Sequence, residues 1–247
     1  MPVLEAILRK GARAERQAAL AILGGLDVPE ADAVLARWLD KLLAGAVPVD
    51  LQLDLVEAAA KRSAPEVKGR LLRYEESRSR GDAVARYREA LAGGDAERGR
   101  KVFASKAEVE CIRCHKIRRP TGEGYGGDVG PDLTDVGSRE PRHYLLESIV
   151  DPNRKIAKGF ESAVVALTDG RLVAGIVKLD DGKRLRLQTP QGHYIEVDAD
   201  EVEDRKAGVS GMPEDLIKHL SRAEIRDLVE FLATMKEEPG GPAPPQG

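Results

Sequence analysis

The sequence of 247 residues is poor in cysteine, methionine and aromatic side chains, and it has no excess of charge of either sign. No apolar stretch approaches the roughly 20 residues that cross a bilayer, so we expect no transmembrane segment. The 39 basic and 42 acidic side chains give a net charge of −3, which provides no general attraction to nucleic acid. Residues 1–10 lack the charged, apolar and small-residue regions of a signal peptide. Hydrophobic residues still make up 42 % of the chain, which is enough for a packed core.

The only two cysteines lie in the pentapeptide Cys111-Ile112-Arg113-Cys114-His115. Two thiolates are too few for an iron–sulfur cluster, and no second cysteine pair exists to complete a zinc site. A thioredoxin-like redox pair would need a βαβ pattern, which the surrounding sequence does not have. C-x-x-C-H is the attachment site of c-type haem, in which the two thiols become thioethers and the histidine ligates the iron. We therefore expect one haem c, covalently bound through Cys111 and Cys114, with His115 as an iron ligand.

The second axial ligand is expected to be Met212, one of only three methionines. It lies in the turn-rich stretch Ser210-Gly211-Met212-Pro213, and a thioether ligand raises the reduction potential relative to a second histidine. The alternative is that Met212 fills a gap in the core, as most methionines do. Met235 is expected to be a packing residue or part of a frayed helix end. His143 is the main competing ligand, and His193 and His219 are less favoured competitors.

A glycine–proline turn, Gly130-Pro131-Asp132-Leu133, follows the haem motif. Such a turn can present a backbone carbonyl to the far nitrogen of His115, which would set its tautomer and strengthen it as a ligand. Leu133 would then lie on the porphyrin face. The alternative is an ordinary loop break. Residues 122–130, rich in glycine, are expected to form a flexible loop at the haem edge.

The pattern of apolar residues predicts a mainly α chain with a β insertion. Residues 1–92 show helical periodicity broken at about every three to four turns, which indicates either HEAT-like repeats or an irregular helical bundle. Residues 93–158 and 206–237 are expected to form a class I-like cytochrome c domain, in which a helix begins at Ser138 and runs to Val150. Between them, residues 159–205 alternate with period two and predict four or five short antiparallel strands, which form either a small barrel-like, SH3-like subdomain or a curled sheet. Residues 238–247 are expected to be a disordered tail.

Two helices should frame the cytochrome region. Asp95 can cap the first, and the capping box Ser221-Arg222-Ala223-Glu224 opens the last. Gly99, Phe103 and Phe231 are suited to a crossing of these two helices, in which a small residue permits close approach and aromatic rings fill the joint.

With these features in place, the region from about residue 95 to residue 235 resembles the haem-binding cytochrome c domains found mostly in planctomycete- and verrucomicrobia-type bacteria. The resemblance implies that His115 and Met212 are the axial ligands and that the domain transfers electrons. Members often form the C-terminal part of large exported proteins, after HEAT-like helices and a β-propeller dehydrogenase-like portion. Because c-type haem is attached after export, we expect a periplasmic or otherwise exported protein whose export signal lies upstream of residue 1. The stretches that carry the resemblance are Gly99 to Phe103, Cys111 to His115, Gly130 to Leu133, Tyr144 to Ile149, Asp151-Pro152-Asn153, Asp169-Gly170-Arg171 with Gly175, Ser210 with Met212-Pro213, and Leu228 to Leu232.

The leading functional hypothesis is a single-haem electron-transfer module that takes electrons from a fused or associated dehydrogenase and passes them to an acceptor. We expect such a module not to be an enzyme itself. The alternative is a haem enzyme or a gas or redox sensor with an open or displaceable sixth iron position, for which His143 with Arg142 or Arg139 would have to act as distal groups. A third hypothesis treats the helices and the β insertion mainly as docking surfaces for a redox partner protein.

Overall fold

A computed structural model describes residues 1–78, 81–118 and 123–236 of the chain. These residues combine helices with antiparallel sheets, in agreement with the predicted mixture of a helical chain and a β insertion. None of the helices in this part of the chain is both long and apolar enough to cross a membrane. The predicted disordered tail, residues 238–247, lies outside the described residues.

Five helices occupy the first part of the chain, and proline stands in the first turn of three of them, where its missing N–H costs no helical hydrogen bond. Helix α2 (Arg13–Gly25) packs against α4 (Gln52–Ala60), and α3 (Pro29–Leu43) packs against α5 (Pro65–Glu76). The four helices surround one buried apolar cluster, which includes Leu20, Leu35 and Leu55. A Cβ at Gly24 would lie 2.8 Å from the Cα of Ala58, so this glycine permits the close approach of α2 and α4. The assignment of these helices to HEAT-like repeats stays a prediction. The helices are α1 (Pro2–Lys10), α2 (Arg13–Gly25), α3 (Pro29–Leu43), α4 (Gln52–Ala60) and α5 (Pro65–Glu76).

A second buried cluster unites the helices of residues 83–236. At its centre α7 (Ala96–Ser105) crosses α11 (Arg222–Thr234), which confirms the predicted crossing of these two helices. A Cβ at Gly99 on α7 would lie only 2.0 Å from the backbone oxygen of Asp227 on α11. The rings of Phe103 and Phe231 meet beside it with centroids 5.5 Å apart. The helices are α6 (Ala83–Arg86), α7 (Ala96–Ser105), α8 (Cys111–Cys114), α9 (Val136–Arg139), α10 (Arg142–Val150) and α11 (Arg222–Thr234).

The helix expected from Ser138 to Val150 is divided in two. Helix α9 ends at Arg139, and α10 begins at Arg142 with Pro141 as its N-cap. Proline disfavours helical backbone in the residue before it, so Glu140 is extended and the helix cannot run through.

The strands of the described residues form two sheets. A hairpin pairs β1 (Lys116–Arg118) with β2 (Gly124–Gly126), so part of the glycine-rich segment that was expected to be a flexible loop is a strand. The larger sheet has the antiparallel order β6-β5-β4-β3-β7. Its strands are β3 (Ser162–Leu167), β4 (Leu172–Asp180), β5 (Arg184–Gln188), β6 (Tyr194–Asp198) and β7 (Val202–Ala207).

The larger sheet is open, which rules out the barrel-like alternative and leaves the curled sheet. Bulges at Glu203 on β7 and at Lys178 on β4 bend these strands, but the edge strands β6 and β7 do not pair with each other in the part of the chain that the structure describes. Its inner face buries a third apolar cluster that includes Val165, Leu187 and Val197. Strand β7 runs to Ala207, past residue 205, where the sequence analysis ends the insertion.

Buried polar contacts connect the first helices to α11. The guanidinium of Arg226, 5 % exposed, donates to both carboxylate oxygens of Asp54 on α4, at 2.6 and 3.3 Å. The side-chain amide of Gln17 donates to the backbone oxygen of Gly93 and to Asp54. The fully buried carboxylate of Glu89 accepts hydrogen bonds from the Tyr74 hydroxyl, at 2.6 Å, and from Arg222 on α11. The first helices and α11 therefore share one hydrogen-bonded junction.

Candidate cofactor site

The C-x-x-C-H motif forms a single helical turn, α8. The amide of His115 donates to the backbone oxygen of Cys111 at 3.0 Å and closes the turn. Residues three apart in a helix lie on one face, so both thiols project from the same side. Both cysteines are free and partly buried, and burial raises the pKa of Cys111 to about 11. The thiol of Cys111 packs against the apolar cluster between α7 and α11, which is the surrounding that an apolar porphyrin edge would need.

The imidazole of His115 has one nitrogen committed to the protein. Its Nδ1 lies 2.9 Å from the backbone oxygen of Pro131, which is the contact predicted for the glycine–proline turn. A carbonyl oxygen can only accept a hydrogen bond, so the proton belongs on Nδ1 and Nε2 keeps its lone pair. Burial lowers the pKa of His115, against the opposing effect of the Pro131 hydrogen bond, and so favours the neutral ring. A neutral imidazole oriented through its other nitrogen is the form that ligates metals.

Glycines allow the segment after the hairpin to close over this turn. The amide of Gly127 donates to the oxygen of Ile112 at 2.9 Å, and that of Gly130 donates to the oxygen of Cys114 at 2.8 Å. A Cβ at Gly127 would lie 1.9 Å from the oxygen of Arg113, and one at Gly130 would lie 2.6 Å from the ring carbon Cε1 of His115. We call residues 127–130 the proximal loop. A side chain at either glycine would separate this loop from the haem motif.

Leu133 and Pro131 are both partly buried beside the motif. The amide of Leu133 donates to the oxygen of Lys116 at 2.8 Å, and its side chain packs against the same apolar cluster as Cys111 and Tyr125. The proposed contact of Leu133 with a porphyrin face stays a prediction.

Met212 lies in residues 208–213, which we call the methionine loop. Its amide donates to the hydroxyl of Ser210 at 3.1 Å, and the Ser210 amide donates to the side-chain oxygen of Asn153 at 2.6 Å. The side-chain amide of Asn153 donates in turn to Glu214. Asn153 thus contacts the chain on both sides of Met212, through the Ser210 backbone amide and the Glu214 side chain. Sequence reasoning missed this role, although Asp151-Pro152-Asn153 belongs to the stretches that carry the resemblance.

The two internal methionines differ in their surroundings. Met235 packs against the cluster between α7 and α11, as expected, whereas Met212 is partly buried and is not among the side chains of the three clusters that the described residues form. The reading of Met212 as a gap-filling core residue is therefore the weaker one. Its ligation of iron stays a prediction.

The competing ligands and distal groups are placed less favourably. The side chains of His143, His193 and His219 are exposed. The guanidinium of Arg142 donates to both carboxylate oxygens of Glu230 at 2.8 Å, and that of Arg139 donates to Asp135 at 2.8 Å. Both arginines are thus engaged in ion pairs within the protein.

Among the described residues, no three His, Cys, Asp or Glu side chains come together as they would in a metal site built by protein ligands alone. A haem needs no such cluster, because the porphyrin nitrogens already bind the iron and the protein adds only axial ligands. The unbridged thiols on one face and the free Nε2 of His115 fit that requirement. Comparison with models of known protein families and with curated proteins finds no match for this chain.

Proposed function

We propose that this chain is a single-haem c-type cytochrome module that transfers electrons between redox partners. The observation that carries the proposal is the haem motif folded as one turn, with His115 held by Pro131 through Nδ1 and presenting Nε2. Two thiols and one oriented imidazole on a single turn are the protein's contribution to a haem c site. When bound, the haem supplies a one-electron couple at its iron.

Each of the proposed site residues has a distinct role. Cys111 and Cys114 would attach the porphyrin covalently, and His115 would ligate the iron through Nε2. The oxygen of Pro131 orients the imidazole and makes it a stronger electron donor. Met212 would supply its thioether as the second protein ligand to the iron, and Leu133 would contribute an apolar side chain that excludes water from the porphyrin.

The physiological setting follows from the resemblance and is part of the proposal. The module would take electrons from a dehydrogenase, fused or associated, and pass them to a downstream acceptor in the periplasm or another exported location. The crossing of α7 and α11 at Gly99 supports a class I-like cytochrome fold, because that fold also brings its first and last helices together.

An absorption spectrum of protein made in a host that matures c-type cytochromes tests the proposal. We expect a covalently attached haem, a low-spin spectrum, and a weak far-red band from thioether ligation of ferric iron. Met212→Ala should abolish that band, whereas the matched control Met235→Ala should keep it.

Two results would count against electron transfer. Absence of covalently attached haem in the wild-type chain would remove the proposal altogether. A high-spin spectrum that shifts when carbon monoxide or peroxide is added would favour a haem enzyme or sensor with an open sixth position.

A further inference from the structure

The outer face of the five-stranded sheet is buried at one end only. Ser162, Ile176 and Gln188 are direct partners on β3, β4 and β5 and form one row across this face, which we call the outer-face row. Ile176 is 5 % and Gln188 is 1 % exposed. Farther along the same face, Val164 and Leu172 are 40 % and 73 % exposed. Some other part of the chain must therefore cover the outer-face row.

The methionine loop covers the first half of the row. The amide of Gly208 donates to the backbone oxygen of Ser162 at 2.9 Å, and the Ser162 hydroxyl donates to the oxygen of Val209 at 2.5 Å. A Cβ at Gly211, the residue before Met212, would lie 3.4 Å from Cδ1 of Ile176. Ile176 thus supports the backbone directly beside the proposed iron ligand.

The proximal loop covers the second half. The side-chain amide of Gln188 donates to the carboxylate of Asp128 over 3.4 Å, a long hydrogen bond. Val129, in the same loop, lies beside Gly192: a Cβ built at Gly192 would be 3.8 Å from the Cγ2 of Val129. The two ends of this loop, Gly127 and Gly130, are bonded to the turn that carries His115.

We propose that the β insertion is a brace, meaning a rigid support that fixes the distance between the methionine loop and the proximal loop. Ile176 positions the methionine loop, and Gln188 positions the proximal loop. This inference rests on the proposed haem function. Neighbouring strands are held by backbone hydrogen bonds, so Ile176 and Gln188 keep a constant spacing. A thioether bound through a loop needs such support, because catalytic and binding groups on loops are less accurately placed than groups on regular elements.

Two variants test the brace in the full-length chain. Ile176→Ala removes the contact with Gly211, and Gln188→Leu removes the hydrogen bond to Asp128 at similar volume. Leu172→Ala, on the exposed part of the same face, is the matched control. Amide hydrogen exchange in haem-loaded and haem-free protein, together with the far-red band, supplies the readout.

We expect amides 208–212 to exchange at least ~10-fold faster in Ile176→Ala, and amides 127–130 in Gln188→Leu, because each loses its local support. In the loaded protein both variants should weaken the far-red band, whereas Leu172→Ala should resemble wild type. If Ile176→Ala and Gln188→Leu both match Leu172→Ala in amide exchange and in their spectra, the proposed brace is wrong. If Ile176→Ala also accelerates exchange in α7 and α11, it has unfolded the domain, and Gln188→Leu alone decides.

The two proposals can fail separately. Wild-type protein that takes up no haem would remove the proposed function, while exchange in the haem-free chain would still decide whether the row holds the loops. A normal haem spectrum with unchanged loop exchange in Gln188→Leu would remove the brace and leave electron transfer intact.

Discussion

The replacement Gly130→Ala should disturb the His115 ring more than any other part of the site. The new Cβ would lie 2.6 Å from Cε1, 2.8 Å from Nδ1 and 3.1 Å from Nε2. Ordinary contacts begin near 3.4 Å, so the ring and the proximal loop must separate by about 0.8 Å. A shift of that size would lengthen the 2.9 Å contact between Nδ1 and the Pro131 oxygen to about 3.7 Å, beyond a hydrogen bond.

The size of the effect follows from this lost hydrogen bond. Removing the partner of a metal-ligating histidine typically costs about 10- to 100-fold in metal affinity. A factor of ten corresponds to about 1.4 kcal/mol, so the iron–imidazole bond should weaken by about 1.4–2.8 kcal/mol. Because the thioethers of Cys111 and Cys114 would still hold the porphyrin, haem content should not change.

The assay is a titration of the reduced, haem-loaded protein with carbon monoxide, combined with measurement of the reduction potential. Gly130→Ala should bind carbon monoxide more tightly than wild type and should show altered spectra. Gly69→Ala is the control, because nothing lies within 4 Å of a Cβ at that exposed position on α5. If Gly130→Ala keeps the wild-type potential and carbon monoxide affinity, the close packing of Gly130 on the ring has no part in ligation.

Two further predictions concern the framework around the site. Gly99→Ala should lower the free energy of unfolding by about 3 kcal/mol, because its Cβ would overlap a backbone oxygen on α11, and thermal melting should fall by about 6–12 °C. Gly69→Ala should instead stabilise by up to ~1 kcal/mol, and equal melting temperatures for the two variants would contradict the close helix crossing. The hydrogen-bonded guanidinium of Arg142 holds the pKa of Glu230 below its ordinary value of 4.5. The ionised carboxylate therefore stabilises the fold above pH 4.5. This contribution to stability is lost as the pH falls through the lowered pKa. Glu230→Gln should therefore be less stable than wild type at pH 7 and should lose less stability than wild type on acidification. Urea denaturation at neutral and acidic pH would measure both free energies of unfolding. If the two proteins lose stability equally as the pH falls, the ion pair with Arg142 is not the source of this pH dependence.

Local chemistry made part of the fold predictable from the sequence. The helix crossing followed from a glycine and two phenylalanines at suitable spacing, and the structure brings Gly99, Phe103 and Phe231 together. Four strands of the larger sheet followed from their period-two alternation. Strand β7 was missed because it lies at an edge and is almost entirely charged and exposed, so no apolar alternation marks it.

In the candidate site as well, contacts between residues close in sequence were predictable and contacts between distant residues were not. The contact between His115 and Pro131 joins residues only 16 apart, and a glycine–proline turn is a local signal for it. The contacts of Asn153 with Ser210 and of Gln188 with Asp128 join residues 57 and 60 apart. Such contacts arise from the folding of whole elements onto one another, and no local pattern of residue types indicates them.

The junction between Asp54 and Arg226 has a consequence for how the molecule can be divided. A fragment that begins near residue 93 would keep the haem motif, the methionine loop and the proximal loop. It would lack Asp54, the counter-ion of Arg226, and it would uncover the side of α11 that carries this guanidinium. The Arg226 guanidinium, 5 % exposed in the full chain, would then face water, and the hydrogen bonds that hold α11 against α4 would be lost. We therefore expect a fragment that carries the proposed haem site to need the leading helices if α11 is to keep the stability it has in the full chain.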